Sequence, residues 1–157
     1  MIQRTQTIYL FFAGLITVLL LFIHFGTYNI GNDKCFEYNA FEIKNYSEGI
    51  VILHPFGNAI LLVITSVFSF ITIFFYKNRK LQLKLISINM FVLLLAIFSI
   101  VYLYPNIIYA KNINLENTEL RYNYVIIICF VSAVGLYLAK KAIMKDEAMI
   151  RSADRLR

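Results

Sequence analysis

The chain has 157 residues, of which 60% are hydrophobic, 16% aromatic and only 15% charged. This balance excludes an ordinary soluble domain, in which about a quarter of residues are charged, and it excludes disorder. Two cysteines are too few for a disulfide scaffold.

The charged residues are also segregated. None occurs in the 28 residues between Arg4 and Asp33, the 28 between Glu48 and Lys77, the 26 between Lys84 and Lys111, or the 18 between Arg121 and Lys140. These gaps hold 100 of the 157 residues. A helix rises about 1.5 Å per residue, so about 20 apolar residues cross a hydrocarbon core about 30 Å thick. The pattern predicts an all-α membrane protein, a single integral membrane domain built as an antiparallel bundle of four transmembrane helices.

The first predicted span is about 8–25. Arg4 precedes it as in a signal peptide, but the run is long and IHFGTYNIG after it offers no small-x-small cleavage site, so it reads as a retained anchor. An outer loop, 26–56, follows. Cys35 to Ile43 mixes aromatic and polar residues at near-alternating spacing, KNYSEG supplies turn residues, and Ile50 to Leu53 is a short β-branched run, which predicts a β-hairpin of roughly 35–43 with 50–54. The second span, 57–76, starts behind Pro55, where a missing N–H costs nothing. A short basic hairpin, 77–84, leads to the third span, 85–104, which Pro105 is expected to stop. In the second outer loop, 105–123, Ile107 to Tyr109 and NINLENTEL supply a strand or a short helix, and strands of the two loops pairing would make a small outer cap. The fourth span, 124–140, is the shortest, with Lys140 and Lys141 snorkelling to the interface. The tail, 141–157, has no Gly or Pro and is read as a cytoplasmic extension of the last helix. In it Ala142, Met149, Ala153 and Leu156 share one face, and Glu147 sits four residues before Arg151.

Lysine and arginine set the orientation. Eleven lie on the side of both termini and the 77–84 hairpin, and only Lys34, Lys44, Lys111 and Arg121 on the other. Net charge is then +8 inside and −2 outside, so the termini are expected to be cytoplasmic and the overall +6 to match anionic lipid head groups, with no nucleic-acid partner.

No acidic or basic residue falls in any span interior, which argues against an ion-coupled transporter. Asn58, Thr65, Ser66, Ser69, Thr72, Ser87, Asn89, Ser99 and Ser132, with Gly14 and Gly135, fit close helix packing and inter-helix hydrogen bonds. Tyr9, Tyr28, Tyr76, Tyr102, Tyr104, Tyr122 and Tyr124 read as an interfacial belt. His24, Cys35 and His54 are the only weak candidates for metal ligands, and their spacing matches no compact ligand motif. Neither a catalytic residue nor a cofactor site is predicted, and no G-x-S-x-G, H-E-x-x-H, P-loop or G-x-G-x-x-G occurs.

MIQRTQTIYL at 1–10, YKNRKLQLKL at 76–85 and KDEAMIRSADRLR at 145–157 resemble a bacterial family of small four-span membrane proteins, domain of unknown function 4293, over the whole chain. The resemblance implies a multi-pass protein of the cytoplasmic (inner) membrane of a Gram-negative cell. It implies no activity and carries over no catalytic residue. Its motif residues Gln3, Arg4, Lys77, Arg79, Lys80, Asp146, Glu147, Arg151, Asp154 and Arg155 all fall on the expected cytoplasmic side. They suggest one interaction surface in which Arg4 or Arg79 pairs with Asp146, Glu147 or Asp154; the alternative is that the basic residues only set topology.

The expected function is non-enzymatic: an accessory or scaffolding subunit of a membrane complex, with membrane lipids and a protein partner or a second copy as its contacts. The alternatives are a small lipid- or solute-handling protein with an intrabundle cavity lined by Asn89 and Asn58, and a metal-dependent membrane enzyme using His24, Cys35 and His54.

Overall fold

The computed structural model describes residues 3–30, 33–45, 49, 51–111 and 118–155. The chain is mostly helical, with a small antiparallel sheet at one end. Helix α1 is Gln3–Leu20, α2 is Phe56–Phe74, α3 is Arg79–Phe98, α4 is Tyr104–Lys111 and α5 is Val125–Arg155. Among the described residues three helical stretches, Phe56–Phe74, Arg79–Ile108 and Val125–Met149, are long and apolar enough to cross a membrane; Thr5–Leu20 is a shorter apolar helix. In the most apolar windows of those three, only 39%, 33% and 28% of residues are buried by the rest of the chain. The outward faces are nevertheless apolar, with Phe12, Ile60, Phe91 and Ile127 all exposed, so these helices need an apolar surrounding.

The helices pack side by side in a ring: α1 on α2 and α5, α2 on α3, and α3 on α5. Each turns a stripe of three- and four-residue spacing inward. On α1 it is Gln6, Leu10, Ala13, Thr17 and Leu20, and on α3 Gln82, Ile86, Asn89, Leu93 and Ala96. On α5 it is Val125, Cys129, Ser132, Leu136, Ala139, Ile143 and Asp146. This corrects the face expected for the tail. Ala142 is half-buried and Met149 exposed, because the inward stripe of the span runs on past Ala139 to Ile143 and Asp146; the side chains of Ala153 and Leu156 lie outside the described residues.

Pro105 does not end the third helix. A π-helical turn, Ser99–Leu103, joins α3 to α4 and carries the helix through to Lys111. A proline removes one N–H and its ring presses on the carbonyl four residues earlier. Widening the turn before it, with Tyr104 N–H bonded to Ser99 O, makes room for the ring without breaking the rod.

The sheet also departs from the expected hairpin. Residues 35–43 do not form one strand, because Asn39 N–H bonds Glu42 O and the chain turns there. The strands are β1 Gly26–Ile30, β2 Asp33–Tyr38, β3 Ile43–Asn45, β4 Val51–Leu53 and β5 Thr118–Tyr122, in the order β4-β3-β2-β1-β5, and every pair is antiparallel. The two loops are thus joined through β1 and β5, as pairing across the loops would require. Gly26 makes this possible, since a Cβ there would lie 2.7 Å from Arg121 O. One face of the sheet sits on the helix ends: Tyr28, Tyr38 and Ile43 join Phe25, Leu20, Ala59, Leu62, Ala96 and Ile100 in one apolar cluster, with Leu120 against it.

Candidate functional site

Polar groups inside the ring fall at three levels. At the sheet end, Tyr38 reaches down from β2 and is fully buried. Its hydroxyl accepts from Asn58 Nδ2 at 2.5 Å and donates to Ile100 O at 3.4 Å, while Ser99 Oγ donates to Asn58 Oδ1 at 2.6 Å. Beside them Gly57 N–H donates to Tyr104 Oη at 3.1 Å. Burial pushes the Tyr38 hydroxyl well above its ordinary value of 10.0, and the hydrogen bond from Asn58 only partly opposes this. The Asn58 side chain thus joins strand β2, helix α2 and the π turn.

Midway along the ring, Asn89 Nδ2 donates to Ser69 Oγ at 2.8 Å, and Asn89 Oδ1 is buried without a hydrogen-bond partner. Ser132 Oγ reaches Ala13 O on α1 at 3.3 Å. Other hydroxyls expected to join helices bond back along their own helix instead: Thr65 to Leu61 O, Ser66 to Val63 O, Thr72 to Phe68 O and Ser87 to Leu83 O; Ser69 does both, donating to Thr65 O while it accepts from Asn89. Short hydroxyl side chains reach the preceding turn more easily than a neighbouring rod.

At the end opposite the sheet, Gln6 Nε2 donates to Asp146 Oδ2, and Gln82 Nε2 to Thr72 O at 3.3 Å. Asp146 is 5% exposed, so the expectation of a surface carboxylate is corrected: its position on the inward stripe of α5 buries it. It makes no ion pair with Arg79 within 4.0 Å among the described residues, and both Asp146 Oδ1 and Arg79 Nη1 are buried without hydrogen-bond partners. Glu147 is half-buried and has an interaction partner. The side chains of Arg4, Arg151, Asp154 and Arg155, the rest of the expected surface, lie outside the described residues.

The metal candidates are held apart. His24 Nε2 lies 3.7 Å from Glu37 Oε2, while His54 stacks on Phe56 at 5.2 Å and 8°. His24 precedes β1 and His54 follows β4, so three strand intervals, about 14 Å, separate them. The Cys35 side chain lies outside the described residues, and among those described no group of three His, Cys, Asp or Glu is placed to hold a metal. The tyrosine belt is also revised. Tyr9, Tyr76, Tyr102 and Tyr124 are exposed, but Tyr28 is fully buried under the sheet and Tyr104 and Tyr122 bond backbone groups. Sequence reading missed Tyr38, Gln6 and Gln82; the last two recur at the spacing of the inward stripes, which was the available signal.

A shallow apolar groove of about 440 Å³ runs between α3 and α5 beside the π turn, floored by Leu94, Ile97, Phe98, Val101 and Phe130. Neither Asn89 nor Asn58 lines it.

No curated protein matches the chain. A family model described as "Domain of unknown function (DUF4293)" matches residues 2–156, the whole domain seen here, and the chain therefore belongs to that family.

Proposed function

We propose that this protein is a four-span scaffold of the bacterial cytoplasmic membrane, a non-enzymatic subunit that docks a partner through the end of the ring formed by the start of α1, the α2–α3 turn and the close of α5. One observation carries this reading. The polar side chains inside the ring join its parts to each other: Asn58 with Ser99 and Tyr38, Asn89 with Ser69, Ser132 with Ala13, and Gln6 with Asp146. Such a core holds a shape. The exposed Lys77, Lys80, Lys84, Lys141 and Lys145 lie at the docking end, as the positive-inside pattern of a cytoplasmic face requires.

The protein purified in mild detergent is expected to bring down one partner in fixed stoichiometry, and to lose it on Glu147→Lys or on truncation after Lys145. Purification as a lone monomer overturns the subunit reading. Orientation is tested separately in a Cys35→Ser background: Glu42→Cys should react with an impermeant maleimide in cells with a permeabilised outer membrane, and Lys145→Cys should not. The groove between α3 and α5 favours a second reading, a lipid-handling protein, and transfer of a labelled lipid between vesicles would support it.

A further inference from the structure

The end of the ring opposite the sheet holds two opposite charges that the chain itself leaves incompletely satisfied. Asp146 continues the inward stripe of α5 one turn past Ile143, with Oδ2 held by Gln6 and Oδ1 buried and unpartnered. Arg79 continues the inward stripe of α3, and its Nη1 is also buried and unpartnered. The two helices pack on each other, and Ile86 and Ile143 belong to one apolar cluster. Asp146 lies about one turn beyond Ile143 and Arg79 about two turns beyond Ile86, both toward the end opposite the sheet. The buried Nη1 shows that the guanidinium is covered by the rest of the chain at this end. Gln6 and Gln82, 7% and 3% exposed, lie at the same end of the ring, and Arg79 is half-buried there.

A buried carboxylate oxygen requires a donor and a buried guanidinium nitrogen an acceptor, and leaving either unmatched is costly. A bare cation answers only the first need and a phosphate only the second. A zwitterion carrying both groups a short distance apart answers the two together. We propose that this end of the ring binds a phosphoethanolamine head group, its primary ammonium donating to Asp146 Oδ1 and its phosphate accepting from Arg79. Methylated ammonium lacks the N–H donors, so a choline head group is rejected. The proposal needs the chain to be embedded in a bilayer but does not depend on the scaffold role.

The test is native mass spectrometry of the full chain released from detergent in the presence of equimolar phosphatidylethanolamine, phosphatidylcholine and phosphatidylglycerol with identical acyl chains. The unaltered protein should retain the ethanolamine lipid over the choline lipid by about tenfold, the equivalent of one charge-assisted hydrogen bond. Asp146→Asn, close in shape, should bring the two to parity. Arg79→Gln should lower retention of both, and Lys44→Gln, at the sheet end, should change neither. Excess soluble O-phosphoethanolamine distinguishes the sources: displacement identifies the free compound as a ligand too, and its failure assigns the site to the lipid. Equal retention of the three lipids by the unaltered protein overturns the proposal whatever the variants do, as does a preference that survives Asp146→Asn. Retention of no lipid at all would instead overturn the membrane placement.

Discussion

The hydroxyl of Tyr122 donates a 2.8 Å hydrogen bond to the carbonyl of Val101, the residue four before Pro105. In an unbroken α-helix that carbonyl is the acceptor for residue 105, and a proline has no N–H to give. The neighbouring carbonyl, Ile100, is the acceptor in the wider π pattern, and it receives the Tyr38 hydroxyl at 3.4 Å. Two strands of the cap, β2 and β5, therefore satisfy the acceptors that one proline leaves open in a helix. The same bonds tie the sheet to the ring.

Tyr122→Phe is accordingly expected to destabilise the fold by about 1 kcal/mol. In a Pro105→Ala background the restored N–H can serve the helix itself, and the same substitution should then cost less. A double-mutant cycle, with unfolding followed by circular dichroism, measures the coupling. Additive effects would show that the tyrosine acts independently of the proline.

Tyr38 gives the protein a dependence on alkaline pH. Burial raises its folded value above the ordinary 10.0, so the neutral form is the folded one. Its contribution is whole below about pH 10 and is lost as pH rises, because only the unfolded chain releases the proton. The loss amounts to about 1.4 kcal/mol per pH unit above that point. Stability measured from about pH 9 to about pH 11 should fall more steeply for the unaltered protein than for Tyr38→Phe. Parallel curves would refute the assignment.

The pair Asn89 and Ser69 is asymmetric. Asn89 already carries an unpartnered buried oxygen, so Asn89→Leu removes that burden together with one hydrogen bond and should change stability by under about 1 kcal/mol. Ser69→Ala keeps the amide and deprives it of its acceptor, at a cost of about 1–2 kcal/mol. Thermal unfolding in one detergent ranks the two variants, and the opposite order would sink this account.

Gly57 meets Tyr104 where α2 begins. A Cβ at residue 57 would lie 2.7 Å from Tyr104 Oη, which also accepts the Gly57 N–H. Gly57→Ala should displace the ring and cost about 1–3 kcal/mol. Combining it with Tyr104→Phe, which removes the clashing oxygen, should recover part of the loss in the same assay.

Several features are legible in the residues alone. The 28-, 28-, 26- and 18-residue gaps between charges locate the apolar helices, because a hydrocarbon surrounding tolerates few ions along a whole rod. The glycine-free, proline-free stretch after Lys140 runs on as helix to Arg155. Pairing between the two loops was also foreseeable from their β-branched and aromatic runs. The helix through Pro105 was not, since a proline read alone predicts a stop and only the preceding π turn accommodates it.

The sequence by itself determined the apolar helices, the segregation of the charged residues between them and the family to which the chain belongs. These depend on composition and spacing along one dimension. Only the tertiary structure decided which polar groups face one another: that Asn58 meets Tyr38, that Gln6 covers one oxygen of Asp146, and that His24 and His54 stand apart across the sheet. Hydrogen bonds act over about 3 Å, and partners as distant in sequence as Gln6 and Asp146 reach that range only when the ring closes.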